Sequence, residues 1–193
     1  MNTLNYALSR NPIIASVTDE NDFQKALKSK ANIVILIQAD INSLKTAVEQ
    51  VAKTNKIVFV HMDLIKGLKR DESSIKFLAE QIGIDGIVTT HANLIRVAKN
   101  YNLLAIQRVF ILDSASIEQG IRLINNAKPD AVEILPGVAV PHIAERLAEV
   151  PQTIIAAGLI NTMDEINHIL QNGAEGISSS SMKLWNSLLH KEE

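Results

Sequence analysis

Two stretches decide the fold: Ile154-Ile155-Ala156-Ala157-Gly158-Leu159-Ile160 and, further along, Gly176-Ile177-Ser178-Ser179-Ser180-Ser181. Each leaves a short apolar run through small residues and enters a helical pattern. Small side chains leave the backbone N–H groups free to point at an anion. In a (β/α)8 barrel the loops after strands 7 and 8 often form a phosphate site in this way. Counting strands back from these stretches gives them those two places.

The count rests on recurring apolar, β-branched runs. Strands are predicted at 13–17, 33–37, 57–61, 86–89, 104–110, 131–135, 153–157 and 175–178. The runs are continuous rather than alternating, as expected when both faces of a parallel strand are covered. Helix periodicity fills the intervals, with Phe23, Ala26 and Leu27, then Leu44, Ala47, Val48 and Val51. It continues in Ile117, Ile121 and Ile124, and in Ile166, Ile169 and Leu170. Asp19, Asp71, Ser114 and Thr162 are candidate N-caps, with Glu165 completing a capping box for Thr162. Asn172-Gly173 reads as a helix stop, and Pro129 follows a helix ending near Ala127.

Eight βα units point to a closed barrel or a doubly wound sheet. No G-x-G-x-x-G follows the first strand, so the barrel is favoured. The expectation is one compact α/β domain, a (β/α)8 TIM barrel over 11–190. The N-terminal segment, 1–10, either plugs the barrel bottom through Leu4, Tyr6 and Leu8 or is a loose terminus.

At 193 residues the chain is at the short end for such a barrel, and 47% apolar residues suffice for a core. Having no cysteine, it has no disulfide framework, thiolate metal site or cysteine nucleophile. The absence of thiols suits a cytoplasmic protein. No signal-peptide pattern or bilayer-spanning apolar run is legible, so no membrane association is expected. A net charge of −2 argues against a broadly basic nucleic-acid surface and leaves room for a local patch. Lys66, Lys69 and Arg70 form one group and Arg96, Lys99 and Arg108 a looser one. Both also read as ordinary solvated helix faces.

In a barrel of this type, side chains at the C-terminal strand ends face a ligand. Those ends carry Gln38 and Asp40; His61 and Asp63; Thr89, Thr90 and His91; Gln107, Arg108 and Asp113; and Glu133. Asp63 and Glu133 suit an acid and base or holders of ligand hydroxyls, and Lys66 or Arg108 suits a phosphate. Glu133 within a strand also reads as a structural partner of Arg108 on the neighbouring strand. His61 reads as a packed histidine, and His91 as a surface residue heading a helix. No metal site, catalytic triad or resident cofactor is predicted.

Several segments have a common likeness. They are Asn11–Ala15, His61–Leu68, Ile106–Ser114, Pro129–Gly137, Ala157–Ile160, and Ser178–Ser180 with Leu184-Trp185. Taken in order over Asn11 to Trp185, they resemble the glycerol uptake operon antiterminator regulatory proteins of Gram-positive bacteria. The resemblance implies a TIM barrel that responds to glycerol 3-phosphate and binds the leader mRNA of glycerol-utilisation genes. It matches Gly158, Leu159, Ser179 and Ser180 to the phosphate-binding loops, and Asp63, Lys66, Arg108 and Glu133 to the polar set at the mouth. Lys69 and Arg70, with Arg96 and Lys99 as the fallback, are the candidate RNA contacts. The chain departs from the family pattern at Ala157 and Ala39, where glycine is frequent, and at Thr18 and His91, where a basic residue is common. The expectation is a non-enzymatic cytoplasmic regulator taking a small phosphorylated metabolite and an mRNA leader, with room for a homo-oligomer. The competing expectation is a TIM-barrel isomerase, aldolase or synthase on a small phosphorylated substrate.

Overall fold

Eight parallel strands close on themselves in chain order, β1 pairing with both β2 and β8. The computed structural model describes residues 3–187; the last three positions of the predicted 11–190 domain lie outside them. The strands are β1 (Ile13–Val17), β2 (Ile33–Leu36), β3 (Ile57–His61), β4 (Gly86–Thr89), β5 (Leu104–Phe110), β6 (Ala131–Leu135), β7 (Thr153–Ala157) and β8 (Gly176–Ser179). The bounds of β2 and β8 differ from expectation by one residue: Ile37 and Glu175 fall outside, and Ser179 falls inside. The backbone N–H groups of the two excluded residues still reach the neighbouring strands, Ile37 to Val17 and Glu175 to Ile154.

Helices α2 (Glu20–Lys28), α3 (Ile41–Ala52), α4 (Glu72–Phe77), α5 (Ala92–Asn100), α6 (Ser114–Ala127), α7 (Ala144–Leu147), α8 (Met163–Gln171) and α9 (Met182–Trp185) cover the outside. Asp19, Asp71 and Thr162 cap as predicted, Thr162 reciprocally with Glu165. The cap of α6 is Asp113 rather than Ser114. The Asp113 carboxylate accepts the Ser116 N–H at 2.8 Å, and Ser116 Oγ accepts the Asp113 N–H in return. That reciprocal pair needs the acceptor three positions before Ser116, which Ser114 cannot supply.

The N-terminal segment forms α1 (Thr3–Arg10) and closes the bottom of the barrel. Leu4, Ala7 and Leu8 pack into the interior cluster with Ile14, Ile35, Phe59, Val88, Ile106 and Ile155. Tyr6 is 55% exposed, contrary to the plug reading. Helical spacing aligns positions 4, 7 and 8 on one face and turns position 6 away. Above this apolar plug the inward positions become polar: Ser16, His61, Arg108, Glu133 and Ser178. That change sets the floor of the mouth.

Candidate anion site at the barrel mouth

The β7–α8 loop is built to present its backbone. Gly158 and Leu159 both take left-handed φ, +80° and +59°. Glycine adopts that region freely, whereas for leucine it costs roughly 1–2 kcal/mol, a strain that clusters at ligand sites. The β6–β7 contact holds the turn. Gly137 donates its N–H to the Gly158 carbonyl at 3.1 Å, and a Cβ at Gly137 would fall 2.8 Å from the Ala157 nitrogen. At the start of α8, Glu165 accepts the N–H groups of Asn161 and Thr162 at 2.7 and 3.0 Å. The Glu165 N–H in turn donates to Thr162 Oγ1 at 3.2 Å, completing the reciprocal cap. Among the described residues the N–H groups of Gly158, Leu159 and Ser180 donate to no protein acceptor.

The β8 side is fixed from two directions. Trp185, fully buried, donates its indole N–H to the Ser179 carbonyl at 2.6 Å. Ser178 shares a 2.7 Å hydrogen bond with Ser16 across the β1–β8 seam, and Ser179 Oγ accepts the Ser181 N–H. Between the two loops lies a cavity of about 270 Å³ lined by Ser16, Thr18, Arg108, Gly158, Leu159 and Ser178–Ser181, among others. Ala157 and Ser178 face each other in register on its rim.

Arg108 is the cation of this cavity. Its Nε donates to Glu133 Oε2 at 2.6 Å, in register across β5 and β6. The arginine side chain is 11% exposed and Glu133 wholly buried. Among the described residues Nη1 and Nη2 have no protein acceptor, and Glu133 Oε1 has no partner. The pair is therefore structural and cavity-facing at once: Glu133 anchors the guanidinium, and Arg108 lines the cavity. Removing either partner alone would leave an uncompensated buried charge, at a cost of about 3–5 kcal/mol.

Gly158, Leu159, Ser179, Ser180 and Arg108 converge, with Glu133 behind them. Asp63 and Lys66 do not join that cavity. The Asp63 carboxylate accepts from Thr89 Oγ1 at 2.6 Å, the Thr90 N–H at 2.8 Å and Thr90 Oγ1 at 2.9 Å. It thereby ties the β3 and β4 loops together. Its burial would raise the pKa, but the hydrogen bonds from Thr89 and Thr90 outweigh that and hold it below the ordinary aspartate value. Lys66 lines a separate crevice of about 560 Å³ between the β1 and β2 loops, with Thr18, Ala39 and Asp40. Its backbone bridges Ala39 and Ile41.

The four basic candidates lie outside the cavity. Lys69 and Arg70 are exposed on the β3–α4 loop, Arg70 donating to the Asp63 carbonyl at 3.2 Å. Arg96 is exposed on α5, while Lys99 is engaged with the Lys128 carbonyl and Asp130. His91 occupies the N-cap position of α5 and stands 4.0 Å from Asp63. Sequence reasoning passed over Ser16. Its signal was a lone hydroxyl in the otherwise apolar Ile13–Val17 strand. His61 is 2% exposed, points inward, and neither ring nitrogen has a hydrogen-bond partner. Burial foremost, then the Arg108 charge, push its pKa below the ordinary histidine value.

A sequence model of the glycerol-3-phosphate responsive antiterminators matches residues 13–185. The chain belongs to that family. The glycerol uptake operon antiterminator regulatory protein of Listeria monocytogenes superposes with a TM-score of 0.86 at 33% identity, over 91% of this chain and 95% of that one. An antiterminator-related protein of Thermotoga maritima is 37% identical, with a TM-score of 0.80 over 90% and 96%. YgcP of Escherichia coli K12, described as uncharacterized, is 28% identical over 93% of this chain and 94% of its own length. The antiterminator match spans every strand of the barrel and both loops that line the cavity between β7 and β8.

Proposed function

We propose that this protein is a transcription antiterminator that senses glycerol 3-phosphate and binds the leader mRNA of glycerol-utilisation genes. The observation that carries this reading is the cavity between the β7 and β8 loops. Its wall offers backbone N–H groups at Gly158, Leu159 and Ser180 that no protein acceptor uses, beside a buried guanidinium. A phosphate dianion has the acceptors and charge for that set. Each hydrogen bond to it contributes roughly 1.5–3 kcal/mol.

Glu133 holds Arg108 in place so that its two Nη groups face the phosphate, and the Ser179–Ser180 segment closes over the other side. Asp63 braces the neighbouring β3–β4 rim, and Lys66 holds the β2 and β3 loops in register by its backbone. Effector binding bridges the β7 and β8 loops and favours the RNA-competent state. The shift is limited by the effector's differential affinity for the two states.

The sites of the two carboxylates favour sensing over turnover. Asp63 is occupied by three hydrogen bonds, and Glu133 lies beneath Arg108 with one oxygen committed to it. The competing isomerase or aldolase reading takes one of these two carboxylates as its base, facing the ligand. The test is a titration of labelled leader RNA with and without glycerol 3-phosphate. Effector-dependent affinity with no consumption of the metabolite is the expected result. Turnover without RNA affinity would overturn it.

A further inference from the structure

At the opposite end of the barrel, three consecutive loops gather unpaired cations. Segments 3–12, 27–35 and 50–60 carry Arg10, Lys28, Lys30, Lys53 and Lys56 and contain no aspartate or glutamate. Among the described residues none of the five has a carboxylate within salt-bridge distance. The loops are sewn together. Asn11 donates to the Lys30 carbonyl at 2.8 Å, Asn32 to the Ala7 carbonyl at 3.1 Å, and Lys56 to the Ser29 carbonyl at 2.7 Å. Lys56 is thereby structural, whereas Arg10, Lys28, Lys30 and Lys53 are exposed. The remaining floor loops differ: Lys99 is paired with Asp130, and Asp85, Glu149 and Glu175 add negative charge.

Within this sector lies a cavity of about 430 Å³ bordered by Tyr6, Arg10, Asn32 and Asn55. Tyr6 is the exposed aromatic left over from the plug helix, and Arg10 donates to its hydroxyl at 3.3 Å. The combination has a specific chemistry. Exposed cations track a phosphate backbone, an exposed ring stacks a base, and amides read base edges. A chain of net charge −2 has no general attraction for a polyanion, so a local cluster of cations outside any salt bridge among the described residues is where one would be held.

We infer that this floor, formed by the α1–β1, α2–β2 and α3–β3 loops, is a docking surface for single-stranded RNA, with Tyr6 as its base-stacking platform. The inference rests on the antiterminator reading for the partner and goes beyond it in placing that partner away from the effector mouth and from the Lys69–Arg70 rim.

The test uses full-length protein and labelled leader RNA over a salt series. The triple variant Arg10→Glu, Lys30→Glu, Lys53→Glu should weaken RNA binding at least about tenfold and lower the salt slope by roughly 0.7 for each phosphate no longer neutralised. Its glycerol 3-phosphate affinity by calorimetry should stay at the wild-type value, which also reports an intact fold. Tyr6→Ala should weaken binding without changing the slope, because stacking releases no counterions, and Tyr6→Phe should restore it. The pair Lys69→Glu, Arg70→Glu should leave RNA affinity unchanged.

Wild-type RNA affinity in the triple variant, or weakening confined to the Lys69–Arg70 pair, overturns the floor assignment while leaving the antiterminator reading intact. A wild-type protein with no RNA affinity overturns both. Wild-type protein that binds anionic phosphatidylglycerol vesicles through the same residues, and no RNA, makes the floor a membrane surface and overturns the inference.

Discussion

The two ends of this barrel present positive charge by different means. The mouth uses backbone donors, left-handed turns and one partly buried, anchored arginine. The floor offers long exposed side chains that, among the described residues, form no salt bridge. A buried charge with fixed partners is specific and intolerant of change, whereas an exposed cation is screened by salt and individually worth little. The mouth should therefore respond to steric and pairing changes, and the floor to changes of charge.

The largest expected contrast is in stability. Glu133→Ala, which strands Arg108, should cost about 3–5 kcal/mol in urea unfolding, against within about 0.5 kcal/mol for Lys53→Ala. The double variant Arg108→Met, Glu133→Leu should recover most of that stability while failing to bind the effector. This separates the anchoring role of the pair from its ligand role. Equal costs at the two ends would break the contrast.

Next in size is Gly158→Val. A branched side chain disfavours φ near +80° and would intrude on the anion, so calorimetric affinity for glycerol 3-phosphate should fall at least about tenfold. An unchanged affinity would remove the β7 loop from the site.

Smaller effects follow from the titrating groups of the mouth. His61 has a lowered pKa when folded, chiefly through burial, so the unfolded chain takes up its proton first. Stability from this group is complete above the unfolded value near 6.5. It falls as pH drops below that value, at no more than about 1.4 kcal/mol per pH unit. His61→Phe should flatten the stability curve between neutral and mildly acid pH. Asp63 is also lowered in the folded state, so its contribution is present above the ordinary carboxylate range and is lost on acidification through the folded pKa. The gap in stability between wild type and Asp63→Asn should close only at strongly acid pH. A gap that closed near neutrality would reverse the assigned sign.

The strands were legible because parallel strands covered on both faces write themselves as unbroken β-branched runs. The two small-residue loops at the ends of β7 and β8 were legible as neighbours, and they line one cavity. Arg108 and Glu133 were readable as strand neighbours, since adjacent strands place them level. What escaped was set by partners distant in sequence or by helical phase. Asp63 is claimed by Thr89 and Thr90, twenty-six and twenty-seven positions away. Lys66 turns into a neighbouring crevice because its backbone bridges Ala39 and Ile41. Tyr6 was grouped with Leu4 and Leu8 as a plug residue, and helical phase turns it outward. The floor cations were missed because they are spread over three loops that the pairing of β1, β2 and β3 brings together.

The most direct test is a crystal structure with glycerol 3-phosphate bound. The phosphate should lie within hydrogen-bond reach of the N–H groups of Gly158, Leu159 and Ser180 and of the Arg108 guanidinium. A phosphate seated instead in the Thr18–Asp40–Lys66 crevice would contradict the assignment of the mouth.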